Sequence, residues 1–446
     1  MKSIIFMLLC ACMIFISRIH AQADRSIKLD EAIDLIIKNS PQLKFNNAKT
    51  DEAYAMLHEA EERKLPNASA SVSYLRLAGA NVNLKTKSSS GGTGGSGDAP
   101  PNVSQAMYGL LNASLPLYAG GRINYGIESA RYLTEASRMD ATDQKEKLIQ
   151  KCIEAYVNLC KSKAAVNLVK QNLQDAQSRI NDLSSLEKNG LLARNDLMKA
   201  ELQATTIESS LVDAENNWQL TNVNMNIMLG LDMNTRLQPD TTELAQKVNL
   251  QPLDNYLKIA SSDRQDIAAL EKRKQVAEIG IKSIKAETLP SVQLTGGYIA
   301  LNVPKVLSVT NALNLGLGVS YDLASLWKNK SKITQAESKV KQIEATESML
   351  DDEIRLQINK NYLNVISAQK KVEVYTKSID QASENFRIVN NKFKNSLATT
   401  TDLLDADLAL LQTRLAQSFV RADALLAFYQ LLHAAGVPLQ EYLKNN

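Results

Sequence analysis

The sequence predicts a mainly helical fold with a membrane β component, built as two structural repeats that each join helices to one β-hairpin. Three observations carry this expectation. Two stretches, 121–188 and 324–394, contain no proline, and after the opening Gly121 their only glycine is Gly126. Short segments of period-two alternation precede each stretch. The whole pattern occurs twice in the same order, and such an internal period decides a fold before any single motif does.

The long stretches come first because they set the scale. In the second, Ile333, Ala336, Val340, Ile343, Leu350 and Ile354 recur at helical steps, with Lys332, Glu337, Lys341 and Glu344 between them. Steps of three and four leave a stripe narrow enough for a coiled-coil seam. About 70 residues at 1.5 Å each make a rod on the order of 100 Å, several times an ordinary globular helix. A role that needs length is implied.

Taken in order, the chain opens with Lys2, an apolar run from Ile4 to Ile16 and Ala21-Gln22-Ala23. These read as a secretory signal peptide over 1–23. A lipoprotein box at Leu9-Cys10-Ala11-Cys12, with Cys12 acylated, is the competing reading, though the apolar run passes Cys12 where such a box ends it. The first repeat covers 24–250. A helix reaches Asn39, a second runs from Pro41 to Leu65, and Leu65-Pro66 closes it. Strands are expected at 67–79 and 105–118, a long helix at 121–188 and a returning helix at 194–229. The second repeat, 251–446, has strands at 290–302 and 311–323, the long helix at 324–394 and a return at 400–436.

Strand periodicity is clearest where Leu313, Leu315, Leu317, Val319 and Tyr321 alternate with Asn314, Gly316, Gly318, Ser320 and Asp322. Val292, Leu294, Gly296, Tyr298 and Ala300 alternate likewise with Ser291, Gln293 and Thr295, and Leu111, Ala113, Leu115 and Leu117 repeat the theme. One face is apolar, the other polar or small. At about ten residues, this suits a barrel strand facing lipid on one side and a lumen on the other. The first hairpin's connection holds the run Ser88 to Gly97, whose Ser/Gly composition supports no core. No Lys at phosphate-loop spacing follows those glycines.

The registration of the repeats is close. Leu65-Pro66 matches Leu289-Pro290, Asn189-Gly190-Leu191 matches Asn395-Ser396-Leu397, Asp196 matches Asp402 and Gly230 matches Gly436. Four strands cannot close a barrel, and each open edge leaves unpaired backbone groups in hydrocarbon at several kcal/mol apiece. Other copies must complete the wall. A cyclic assembly of three supplies about twelve strands, within the range of known outer-membrane barrels.

Composition narrows the function classes. The net charge is +3 with acids and bases interleaved, so no helix carries the basic face that nucleic acid requires. Mean hydropathy is slightly negative, which excludes a helical membrane protein. After removal of the leader, Cys152 and Cys160 remain, eight residues apart on one helix and about 12 Å along its axis, too far for a disulfide. No metal-ligand spacing is present. His58 and His433 have no Ser, Cys or acid at catalytic spacing, so no catalytic or cofactor-binding residue is assigned. Trp218 is expected in the core, and Trp327 at the strand exit suits an interfacial belt.

At Leu115-Pro116-Leu117-Tyr118-Ala119-Gly120-Gly121-Arg122 the sequence resembles the TolC-type outer-membrane efflux family, which carries a similar stretch where strand becomes helix. Leu29-Asp30-Glu31-Ala32 with Asn39-Ser40-Pro41, and Thr401-Asp402-Leu403-Leu404-Asp405-Ala406, look like the same family; the second junction, Tyr321 to Ser325, lacks the paired glycines. The resemblance covers Lys28 to about Pro438. It implies a trimeric α/β-barrel channel with four strands per protomer: a β-barrel in outer-membrane lipid continued by helices across the periplasm. Such a homotrimer is the passive exit duct of a tripartite efflux pump or type I secretion system, docking with a periplasmic adaptor protein and an inner-membrane transporter.

The candidate residues follow from that frame. Pro116, Tyr118, Gly120 and Gly121 form the strand-to-helix junction. Gly190, Leu191, Ser396 and Leu397 are the helix corners, and in the duct they are tips offered to the adaptor; structurally, any helical hairpin needs such corners. Asp402 and Asp405, three apart, share one face at the start of the returning helix. In a trimer they make carboxylate rings that favour cations, and the resemblance places such a pair at the closed periplasmic entrance. The plainer reading makes them helix N-terminal acids. Asp196 is the first-repeat match, with Lys199 in place of the second acid. Ala398 to Thr401 is uncharged, so no brace for a closed entrance is evident. A secreted coiled-coil scaffold or adhesin without a pore is the alternative; it predicts a water-soluble product.

Overall fold

The computed structural model describes residues 24–81, 102–242, 249–304 and 306–445. The expected signal peptide, with Cys12, and the glycine-rich run Ser88 to Gly97 lie outside the described residues. In order, the elements are β1 (Asp24–Ile27), α1 (Leu29–Asn39), α2 (Pro41–Glu62), β2 (Asn67–Asn81), β3 (Asn102–Tyr118), α3 (Arg122–Lys188), α4 (Arg194–Leu229), β4 (Arg236–Pro239), α5 (Leu253–Asp263), α6 (Gln265–Ala286), β5 (Ser291–Val303), β6 (Leu307–Ser320), α7 (Ser325–Lys394), α8 (Thr400–Ala434) and α9 (Leu439–Asn445). The described residues form two compact units: one of those within 24–48, 139–267 and 348–445, the other of those within 49–138 and 268–347.

The first unit is mainly helical, with one large apolar core and two smaller apolar clusters. Ile33 and Ile36 of α1, Ile149 and Ile153 of α3, Met225 and Leu229 of α4, Ile354 and Ile358 of α7, and Leu431 of α8 are all buried in the large core. Cys152 and Cys160 lie in the same core, both free. Burial pushes the Cys152 thiol up to about 12, so it stays protonated and unreactive. His433 is also largely buried, and that burial, with Arg264 nearby, depresses its basicity.

Periodicity did not reveal the short parallel pair of β1 and β4, in which Asp24 to Ile27 lie beside Arg236 to Pro239. Four residues per strand are too few to alternate visibly. Polar side chains fix the pair. The Tyr156 hydroxyl lies 3.0 Å from the Ile27 carbonyl and 2.9 Å from that of Asp240, while the Leu237 N–H donates to Asn222 Oδ1 at 2.9 Å. Asn222 and Asn226 both donate to the Thr235 carbonyl at 2.7 Å, holding the chain that leaves α4.

The second unit carries the antiparallel sheet, in the order β2-β3-β5-β6. The two hairpins join through β3 and β5, with Leu111 opposite Tyr298 and Leu115 opposite Leu294. Pleating therefore puts Ala70, Leu111, Tyr298 and Leu313, one from each strand, on the same side, with Leu115, Leu294 and Leu317 aligned beside them. On β6 that side is bare: Leu313, Leu315, Leu317 and Val319 are 82%, 80%, 69% and 71% exposed. Val72 and Tyr74 on β2 are exposed as well. Among the described residues no helix is long and apolar enough to cross a membrane. On β6 the exposed apolar residues form one unbroken row along a single face, and a patch of this kind marks an interaction site.

Candidate functional site

The two corners are built alike. After α3, the Gly190 N–H bonds to the Glu187 carbonyl and the Leu191 N–H to that of Leu186, both at 2.9 Å. After α7, Ser396 bonds to Phe393 at 2.9 Å and Leu397 to Lys392 at 2.8 Å. This paired closure is the Schellman motif, and it needs a left-handed residue. Gly190 sits at φ 71° and Ser396 at φ 59°. Next to them, Leu191 and Leu397 are each 75% exposed, apolar tips without a partner among the described residues.

Beyond the second corner lie the acids. Thr399 caps α8: the Asp402 N–H donates to Thr399 Oγ1 at 3.1 Å, and Asp402 Oδ2 accepts from the Thr399 hydroxyl at 2.7 Å and its N–H at 2.8 Å. This is a capping box with aspartate as its acid. Those two hydrogen bonds, the hydroxyl's first, hold the Asp402 carboxyl below the usual carboxylate range. The cap's contribution is thus present above the ordinary aspartate range and lost as pH falls through the lowered value. Asp402 is a helix-terminal acid by geometry, and its outer face remains exposed, as does Asp405.

The first repeat differs. Ala193 precedes α4 with no side-chain cap, and Asp196 pairs instead with Lys199 at 3.0 Å. The same ammonium lies 3.4 Å from Thr401 Oγ1, linking α4 to the start of α8. Between these helices runs a groove of about 350 Å³, with Lys199 and Asp405 on its walls beside Leu202, Leu404 and Leu408. Asp196, Asp402 and Asp405 are therefore all in the same neighbourhood, with Lys199 beside them and Lys392 of α7 acting on Asp402.

Sequence reasoning missed the most buried acid of this region. Asp407 is 5% exposed and meets Arg179 of α3, Nη1 to Oδ2 at 3.0 Å and Nη2 to Oδ1 at 3.1 Å. Only the second contact is aligned as a hydrogen bond. Asn172 adds a longer bond of 3.4 Å, and the guanidinium lies 5.5 Å from the Phe386 ring centroid on α7. The signal was present. Asp407 falls on the buried stripe of Leu403, Leu410 and Leu411, and Asn172 and Arg179 fall on the stripe of the buried Val169, Ala176 and Leu183. Polar residues interrupting two apolar seams mark a fixed pairing of helices.

At the junction, Gly120 and Gly121 take φ 63° and 86°. A Cβ on Gly120 would stand 2.7 Å from the Ala286 carbonyl oxygen and 3.0 Å from Leu289 Cβ. The paired glycines let β3 turn into α3 against the end of α6. Pro116 coincides with a register shift between β3 and β5, while Tyr118 stays paired with Val292. Gly120→Ala should destabilise by roughly 1–2 kcal/mol from the left-handed backbone alone, and more from the contact with Ala286. Gly126→Ala, in mid-helix with open space around it, should stabilise by about 0.5–1 kcal/mol. Urea midpoints of the two variants in detergent check both.

A bare-faced four-stranded sheet running into two long helical hairpins defines a membrane-seated β protein with a helical body. The chain belongs to the outer membrane efflux protein family, matching it over residues 32–231 and 257–437. It is 20% identical over 322 residues to the outer membrane efflux protein BepC of Brucella suis, covering 72% of this chain and 70% of BepC. To the outer membrane protein TolC of Escherichia coli it is 25% identical over 211 residues, covering 42% of this chain and 43% of TolC. Among solved structures, the outer membrane protein VceC of Vibrio cholerae superposes with a TM-score of 0.73 at 19% identity, over 92% of this chain and 96% of VceC. That likeness is one of fold. The resemblance read from the junction motif and the acidic turn thus holds. The protein is an outer-membrane efflux protein.

Proposed function

We propose that three copies of the chain join their sheets edge to edge into one barrel of about twelve strands, and that the long helices continue this wall as a periplasmic duct. The observation that carries the reading is the sheet itself. β2 and β6 each have one side unpaired among the described residues, and β6 exposes four apolar residues, Leu313, Leu315, Leu317 and Val319, along one face. Lipid covers the apolar face, and a neighbouring copy covers each edge, because open strand edges are not tolerated in hydrocarbon.

In this reading the chain is the passive exit duct of a tripartite efflux pump or type I secretion system. It works with a periplasmic adaptor protein and an inner-membrane transporter. The tips at Gly190, Leu191, Ser396 and Leu397 meet those partners, their exposed leucines supplying apolar contact. The acids Asp402 and Asp405, with Asp196, stand around the periplasmic entrance. Arg179 and Asp407 tie α3 to α8 a few turns further on and brace the helices there. The scaffold or adhesin alternative has no feature that needs a bare apolar strand.

The entrance assignment is tested by single-channel current in planar bilayers. The Asp402→Asn/Asp405→Asn variant should open more readily and lose most of its preference for cations, since rings of carboxylate favour cations at a constriction. A channel whose selectivity is unchanged would place these acids elsewhere.

A further inference from the structure

The sheet's second face has a chemistry that its alternation alone did not disclose. Cross-strand register sets out its rows: Pro116, Gln293 and Gly318; Asn67, Ser114, Thr295 and Gly316; Ser69, Asn112, Gly297 and Asn314; Ser71, Leu110, Ile299 and Ala312. In four consecutive rows every polar group is a hydroxyl or a carboxamide. None is charged, although charged residues make up 22% of the chain.

One row is tighter than the others. Gly297 lies between two asparagines, and a Cβ there would meet Asn314 Oδ1 at 3.0 Å and Asn112 Oδ1 at 3.3 Å. The two amides lean over the glycine from both sides, so the side chains converge where the strand between them has none. Leu111's carbonyl, at 2.6 Å from the same point, leaves no room for any larger residue.

We propose that this face makes the barrel segment of the duct indifferent to the sign of charge, with Asn112 and Asn314 closing over Gly297 as a carboxamide belt, so that charge selection is confined to the helical end. The inference rests on the barrel reading above. Amides and hydroxyls replace lost water for cation and anion alike, through carbonyl oxygens for one and N–H or O–H groups for the other. A single carboxylate or ammonium per copy in the same place acts on every passing ion across a low-dielectric wall. The solutes suited to such a lining are hydrated polar molecules of either charge.

Reversal potentials of the full-length protein in planar bilayers test this under a salt gradient. With the entrance acids neutralised as Asp402→Asn/Asp405→Asn, the cation-to-anion permeability ratio should fall close to one. Adding Asn314→Asp to that background should raise the ratio by roughly threefold or more, and Asn314→Lys should invert it. Thr295→Asp, one row away, repeats the test should position 314 not tolerate charge, and a heat-resistant oligomer on gels shows which variants assemble. A strong preference persisting in the neutralised channel would overturn the proposal, as would no response to charge at both 314 and 295. An unaltered protein that forms no conducting pore at all would instead remove the duct reading on which the proposal stands.

Discussion

Leu315→Arg should abolish assembly in the outer membrane. Leu315 is 80% exposed at the centre of the apolar row of β6, where an arginine facing lipid at the bilayer midplane costs about 2–4 kcal/mol. In a closed assembly of three the cost recurs in every copy. The expected outcome is loss of the protein from the outer-membrane fraction and of its heat-resistant oligomer on gels. Gly316→Ser, one residue along, is the control. Its side chain would enter the opposite face, where a Cβ meets nothing closer than Thr295 Oγ1 at 3.9 Å, and that variant should assemble normally. If both variants behaved alike, the assignment of the two faces would be wrong.

Arg179→Met should be the most damaging single change in the helical unit. It leaves the Asp407 carboxylate, 5% exposed, without its cation, and stranding one partner of a buried pair costs about 3–5 kcal/mol. The double variant Arg179→Met/Asp407→Leu should recover most of that loss, because apolar replacement of a whole buried pair is often neutral or stabilising. Urea unfolding in detergent, followed by circular dichroism, measures both. The double variant should also conduct more readily than the unaltered channel, since it keeps the packing but removes the fixed link between α3 and α8. A double variant as unstable as the single one would show that the ion pair is not what joins these helices.

Much of this fold is legible in the chain. Leu65-Pro66 and Leu289-Pro290 mark helix ends because proline forces the preceding residue out of the α region; α6 closes at Ala286 and β5 opens at Ser291. The alternation from Leu313 to Ser320 gives both the strand and its exposed face, because period two is geometric and needs no knowledge of neighbours. The left-handed corner at Gly190 follows from the residue type. Its counterpart at Ser396 is readable only through the repeat, since serine carries no such signal by itself.

What stayed hidden depended on residues far apart in sequence. The β1–β4 pairing joins Asp24 to Arg236, across a span that no local pattern reports. Asp402 and Asp405 are visible as a spaced pair, whereas Asp407, two residues on, lies on the apolar seam and shows its role only where Arg179 meets it. Lys199 read as a lost acid, and its contact with Thr401 gives it a place next to the acids it was contrasted with. Pairings of this kind require the helices to be docked first.

In the proposed duct, identical chains complete one wall by pairing β6 of one copy with β2 of the next. A density map of the detergent-purified particle, at a resolution that separates strands, tests it most directly. The account predicts a closed threefold barrel of about twelve strands, with the row from Leu313 to Val319 turned outward to detergent. A particle holding one copy, or a sheet whose β2 and β6 edges remain open, would contradict it.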